Sequence, residues 1–163
     1  MSIYVPSPPP KDPRLLPEYI RREFAKLTPL VSSPRIDVFT PTWTASGTQP
    51  ALGNGVWTTG FGDLGGWTVF AFKLAMGSTT TFGSGNWFFS LPVPCGPLGY
   101  WNGSVYFYDT SAATYYTGIT HVQPNGTTVD MVTNATTLIV GATSPFTWAN
   151  GDGLWATVAY PSG

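Results

Sequence analysis

Apolar and polar positions alternate along residues 67–76. Phe70, Phe72, Leu74 and Met76 fall on one face, and Val69, Ala71, Lys73 and Ala75 on the other. A period of two belongs to a β-strand, whose successive side chains point to opposite faces. Residues 56–62 read as the preceding strand, with Asp63-Leu64-Gly65-Gly66 as the hairpin loop between the two. The pattern breaks at Gly77-Ser78-Thr79-Thr80-Thr81 and resumes over residues 86–91, where Trp87, Phe89 and Leu91 alternate. Phe70, Phe72, Leu74, Trp87, Phe89 and Leu91 are therefore expected inside an antiparallel β domain.

Further short runs follow at residues 104–109, 114–122, 127–132, 137–140 and 154–160. Each is β-branched or aromatic and bounded by Asn, Gly, Asp or Pro. Asn102-Gly103, Asn125-Gly126 and Asn150-Gly151 read as turn dipeptides, residues 93–99 as a Pro/Gly loop, and residues 38–55 as a turn-rich entry. Roughly eight strands at this spacing predict an all-β antiparallel β-sandwich or jelly roll.

The N-terminal pattern is different. Pro6, Pro8, Pro9, Pro10 and Pro13 favour an extended polyproline arm with no core of its own. Over residues 15–28 the period becomes helical: Leu16, Tyr19, Ile20, Phe24 and Leu27 make an apolar stripe, with Arg21, Arg22 and Glu23 facing away. Pro17 and Glu18 suit the first turn, Lys26 the last, and Pro29 and Pro34 stop the helix. About three turns are too few for stability in water, so the stripe needs a partner. The partner is either the chain's own β domain or a sister helix or docking protein. The proline- and Ser/Thr-rich flanks favour the latter. Two parts result: a proline-rich arm with a short docking α-helix over residues 1–37, and the β domain over residues 38–163.

Charge sharpens that division. Only 9% of the 163 residues are charged, against about 25% in ordinary domains. Residues 38–163 hold five charges: Asp63, Lys73, Asp109, Asp130 and Asp152. So neutral a surface gives no footprint for nucleic acid or for an anionic membrane. No apolar run reaches the ~20 residues of a membrane span. The start MSIYVPSPPPKD lacks the apolar core of a signal peptide, which predicts synthesis in the cytosol.

Catalytic chemistry has little to draw on, so no enzyme, cofactor or metal is expected. His121 is the sole histidine, and Cys95, the sole cysteine, reads as a core or turn residue. A glycosidase pair would need two of the four aspartates, all of which read as lying in or beside turns with Gly or Asn. They show no D-x-D-x-D calcium spacing. Gly60-Phe61-Gly62 precedes no helix and so is no phosphate loop. What remains is aromatic. Tyr100, Trp101, Tyr106, Tyr108, Tyr115 and Tyr116 cluster with Asn102 and Asp109. Rings that stack on sugars, beside groups that hydrogen-bond to them, make this a candidate glycan site. Packing of the same rings in the core or between subunits is the alternative.

Five stretches carry a resemblance: Thr42-Trp43-Thr44, Gly53-Asn54-Gly55, Gly77-Ser78-Thr79-Thr80-Thr81-Phe82-Gly83, Leu91-Pro92, and Pro145-Phe146-Thr147-Trp148 with Gly151-Asp152. In these, residues 39–163 resemble the C-terminal β domain of tailed-phage minor tail and tail fibre proteins. The run Leu16-Pro17-Glu18-Tyr19-Ile20-Arg21-Arg22-Glu23-Phe24 looks like the short helix that opens many phage structural proteins. The resemblance implies a non-enzymatic virion protein, usually a homotrimer, although this chain lacks their shaft, repeats and depolymerase body. The expectation is a short trimeric fibre or spike. It would dock to other virion proteins through Tyr4, Leu16, Tyr19, Ile20 and Phe24, and present its β domain to a host-surface glycan. A head-decoration protein and a non-catalytic carbohydrate-binding module are the alternatives. Burial of the aromatic surface against identical copies agrees with an oligomer.

Overall fold

The computed structural model describes residues 6–27, 36–134 and 139–163. The chain divides into two units, Met1–Pro34 and Arg35–Gly163. Asp37 pairs through both its backbone groups with Phe61, so residues 36–37 belong with the second unit rather than with the arm.

In the first unit Asp12 accepts from the Arg14 backbone N–H at 3.0 Å and caps a single 3-10 turn, Pro13–Leu15. That turn leads into α1, Leu16–Leu27. The arm runs back along this helix, held at Ser7. The Tyr19 hydroxyl donates to the Ser7 carbonyl. The Ser7 N–H donates to Glu23 Oε2 at 3.2 Å, and Lys26 Nζ donates to Ser7 Oγ at 2.7 Å and to Glu23 Oε1 at 2.6 Å. Glu23, expected to face away, is thus only 7% exposed. Tyr19 serves the arm, while Leu16, Ile20 and Phe24 remain exposed. Tyr4, Pro29, Pro34 and the side chain of Leu27 lie outside the described residues.

The second unit is all-β and antiparallel. Among the described residues it holds β1 Trp43–Ala45, β2 Val56–Asp63, β3 Trp67–Ala75, β4 Trp87–Ser90, β5 Trp101–Asp109, β6 Thr114–Val122, β7 Thr128–Thr133 and β8 Gly153–Pro161. They form one sheet in the order β1-β4-β7-β6-β5-β8-β3-β2. The meander β5-β6-β7 receives β8 beside β5, which is a Greek-key arrangement. Hydrogen bonding is therefore continuous where a sandwich would have two sheets, and the sheet curls until its ends meet. Trp57 on β2 and Phe72 on β3 pack on Phe89 of β4, with ring centroids 5.9 and 5.4 Å apart.

All six side chains expected inside are buried. Trp87 centres the packing, at 4.7 Å from Trp43 and 5.0 Å from Trp148, and its indole N–H donates to Phe82 O at 3.0 Å. Tyr160 is buried with its hydroxyl donating to Val93 O at 3.0 Å. Burial pushes its pKa up to about 12, so it stays a donor. Cys95 is buried, as expected of a structural cysteine, and burial pushes its thiol up.

The elements depart from expectation in three places. The entry segment contains β1, whose Trp43 and Ala45 are buried against β4. Residues 137–140 were expected as a strand; 137 and 138 lie outside the described residues, and Ile139 forms a lone bridge to Val132. Asn102-Gly103 is no turn but the interior of β5. Gly103 serves close approach instead: a Cβ there would overlap Thr157 O on β8 and lie 2.6 Å from Thr120 Oγ1 on β6.

Candidate functional site

Alternation along β5 and β6 sorts the expected aromatic cluster into two faces. Val105, Phe107 and Asp109 point inward from β5, as do Gly118, Thr120 and Val122 from β6. Tyr116 and Trp101 share that inner side, Tyr116 against Phe146 at 5.2 Å and Trp101 against Trp67 at 4.8 Å. Asp109 closes the turn after β5, accepting from Ser111 Oγ at 2.7 Å and the Ala112 N–H at 3.0 Å. The Ser111 hydroxyl, and then the Ala112 N–H, hold its carboxyl below the usual range. Asn102, Tyr106, Tyr108 and Tyr115 face outward, and Tyr100 joins them just before β5.

At one end of this outer face Tyr100, 64% exposed, stacks on His121 at 5.2 Å and 12°. His121 Nδ1 lies 3.2 Å from Asp130 Oδ1, and Asn102 is the cross-strand partner of His121. An Asn102–His121–Asp130 row thus crosses β5, β6 and β7. Asp130 lies within β7, inside the run 127–132 expected as a strand. The other three aspartates do hold turns or loops. Gly66 N–H donates to Asp63, and Thr110 and Ala149 N–H donate to Asp152 at 2.9 and 2.6 Å.

Burial raises the Asp130 carboxyl, and the His121 ring counteracts this in part. A raised carboxyl keeps its proton longer in the fold than in the unfolded chain. Its contribution is therefore greatest at low pH and is lost as pH rises through the raised native value. Asp130→Asn removes that loss. Relative to wild type, its urea midpoint should improve as pH rises above the ordinary unfolded carboxylate value of about 4; a pH-independent difference would contradict this.

Toward the other end Tyr108 and Tyr115 pair at 4.7 Å. In the next row Tyr106, Trp155 and Lys73 are in register across β5, β8 and β3. Lys73 Nζ stands 5.1 Å from the Trp155 ring centroid, a cation–π contact. Beside them lies a shallow hollow of about 290 Å³. Its outward-facing lining is Thr58, Gly60, Ala71, Lys73, Trp155 and Thr157. The sequence reading missed Lys73 and Trp155. The signal lay in the period of two, which puts both on faces opposite buried neighbours, Phe72 and Leu74 for one and Leu154 and Ala156 for the other.

This arrangement offers ring faces, hydroxyls and one ammonium. Among the described residues no three His, Cys, Asp or Glu side chains cluster to hold a metal. No described helix is long and apolar enough to cross a membrane. No family model, curated protein or solved structure matches the chain.

The motif residues behind the phage resemblance serve the framework. Asn54 Oδ1 accepts from the Thr79 N–H at 2.9 Å, and Thr80 Oγ1 donates to Leu52 O at 2.6 Å, so two of the quoted stretches lock together. Trp148 Nε1 donates to Gly141 O at 3.0 Å.

Proposed function

We propose that the protein is a short, non-catalytic surface spike of a tailed-phage particle, assembled as a homotrimer. The first unit docks to other virion proteins, and the outer face of the β unit attaches to a host-surface glycan. One observation carries the reading: two units of opposite chemistry in one chain. The first is charged and braced by its own arm, with Leu16, Ile20 and Phe24 exposed on the helix. The second is nearly uncharged and turns Tyr100, Tyr106 and Tyr115 outward. A nearly neutral sheet with outward rings is a poor catalyst and a serviceable contact surface.

Mass spectrometry of purified particles tests this reading. The full chain should be present, and a chain lacking residues 1–34 should fold but be missing. Absence of the full chain, or normal incorporation of the short one, would refute the proposal. Light scattering should give about three times the 17.5 kDa chain mass. The outward rings favour a second reading, a free carbohydrate-binding module, which predicts glycan binding without particle association. Labelling of intact particles separates a tail position from head decoration.

A further inference from the structure

We propose that the hollow beside Trp155 is a subsite for an acidic saccharide, a pyranose whose carboxylate is read by Lys73. This rests on the glycan-attachment reading above and names the chemical class of the ligand. Lys73 is the one Lys or Arg in residues 38–163. Among the described residues it has no carboxylate within ion-pair distance. Four aspartates of the β unit are engaged elsewhere, Asp63, Asp109 and Asp152 by backbone N–H groups and Asp130 by His121, and Asp37 is not within ion-pair distance of Lys73. Residues 38–163 carry four aspartates and this one lysine, so its ammonium is the single positive side chain that stretch offers to an anion. The ammonium is held at the rim of a hollow by the Trp155 ring.

The rest of the lining fits the same ligand. Gly60 and Ala71 are small, and Ile36 bounds the hollow at Gly60, where an added Cβ would lie 3.1 Å from Ile36 Cγ2. The side-chain hydroxyls of Thr58 and Thr157 bond to no described residue and are available to sugar hydroxyls. The indole offers apolar surface to the ring's C–H groups. At about 290 Å³ the space lies at the lower end of ligand pockets, about 300–1,000 Å³, which suits one ring. Tyr106, opposite Trp155 in register, extends the aromatic surface toward a second sugar. A carboxylate adds a charge-assisted bond to the ammonium that a neutral sugar cannot make.

The test is an NMR titration of the full chain with a glucuronate-containing disaccharide and, separately, with its methyl ester. Shifts should concentrate at Thr58, Ala71, Thr157 and the Trp155 indole N–H. Esterification, and separately Lys73→Met, should each weaken binding about tenfold or more. Trp155→Phe, on the outer face, should weaken both ligands, the acid at least as much as the ester because the indole also holds Lys73. Equal binding of acid and ester, unchanged binding by Lys73→Met, or no shift with millimolar acid would each overturn the subsite. Sulfate and acetate are run as controls: shifts as large with either would reduce the site to a simple anion contact and overturn the saccharide assignment. Shifts confined to Tyr100 and Asn102 would keep glycan attachment while rejecting this subsite. The particle proteome, which does not depend on Lys73, reports separately on the virion reading.

Discussion

Gly103→Ala should destabilise the β unit by about 3 kcal/mol, the upper part of the range for forcing atoms into a filled interior. The added methyl would overlap Thr157 O and lie 2.8 Å from Val158 Cα, both backbone atoms of β8. Backbone of a central strand cannot swing aside as a side-chain tip can. Thr120 Oγ1 also donates to Thr157 O at 3.2 Å, a bond from β6 to β8 that passes the bare glycine between them. A methyl there would push out that hydroxyl and wedge β5 away from β8 together. Ser104→Ala, one residue on and facing out, should change stability by no more than about 0.5 kcal/mol. Urea denaturation of both variants is the measurement, and equal midpoints would reject this account of the glycine.

The second large effect belongs to Trp87→Ala, at about 3–5 kcal/mol. That is a large part of the ~5–15 kcal/mol that holds an ordinary domain together. Truncation removes the contacts with Trp43 and Trp148 and leaves the Phe82 carbonyl without its indole donor. Trp43 belongs to the three-residue strand β1, so the sheet's β1 end should loosen first. Thermal unfolding by circular dichroism should show a lower and broader transition. Trp87→Phe should keep part of the packing and lose the hydrogen bond, falling between the two. A Trp87→Ala protein as stable as wild type would show that the cluster is not the centre of the core.

What could be read from the sequence was whatever depends on neighbours along the chain. Alternation along residues 67–76 and 86–91 identified buried residues because each strand has one inner and one outer face. The Asn-Gly dipeptides show where that reasoning stops. Asn125 (φ 56°) and Gly151 (φ 91°) are left-handed and lie in real turns, whereas Gly103 is needed for a contact with a strand about fifty residues away. The same two letters serve both ends, and only the fold tells them apart. The expectation that Glu23 faces away from the helix's contacts failed similarly. The helix face was read as if the arm were absent, yet Ser7 engages Tyr19, Glu23 and Lys26. The outer-face row Tyr106–Trp155–Lys73 joins three strands that only the register brings together. His121 and Asp130 met for the same reason.

The position of β8 has a consequence for how the protein is made. Among the described residues it is last in chain order of eight strands, yet it lies between β5 and β3. Until it leaves the ribosome, the hairpin β2–β3 and the group β1-β4-β7-β6-β5 are two half-sheets with no strand between them. The edges of β3 and β5 stay bare, and bare edges invite pairing with other nascent chains. Closure must wait for residues 153–161, which alone join the two half-sheets. Slow, long-range strand pairing then sets the pace.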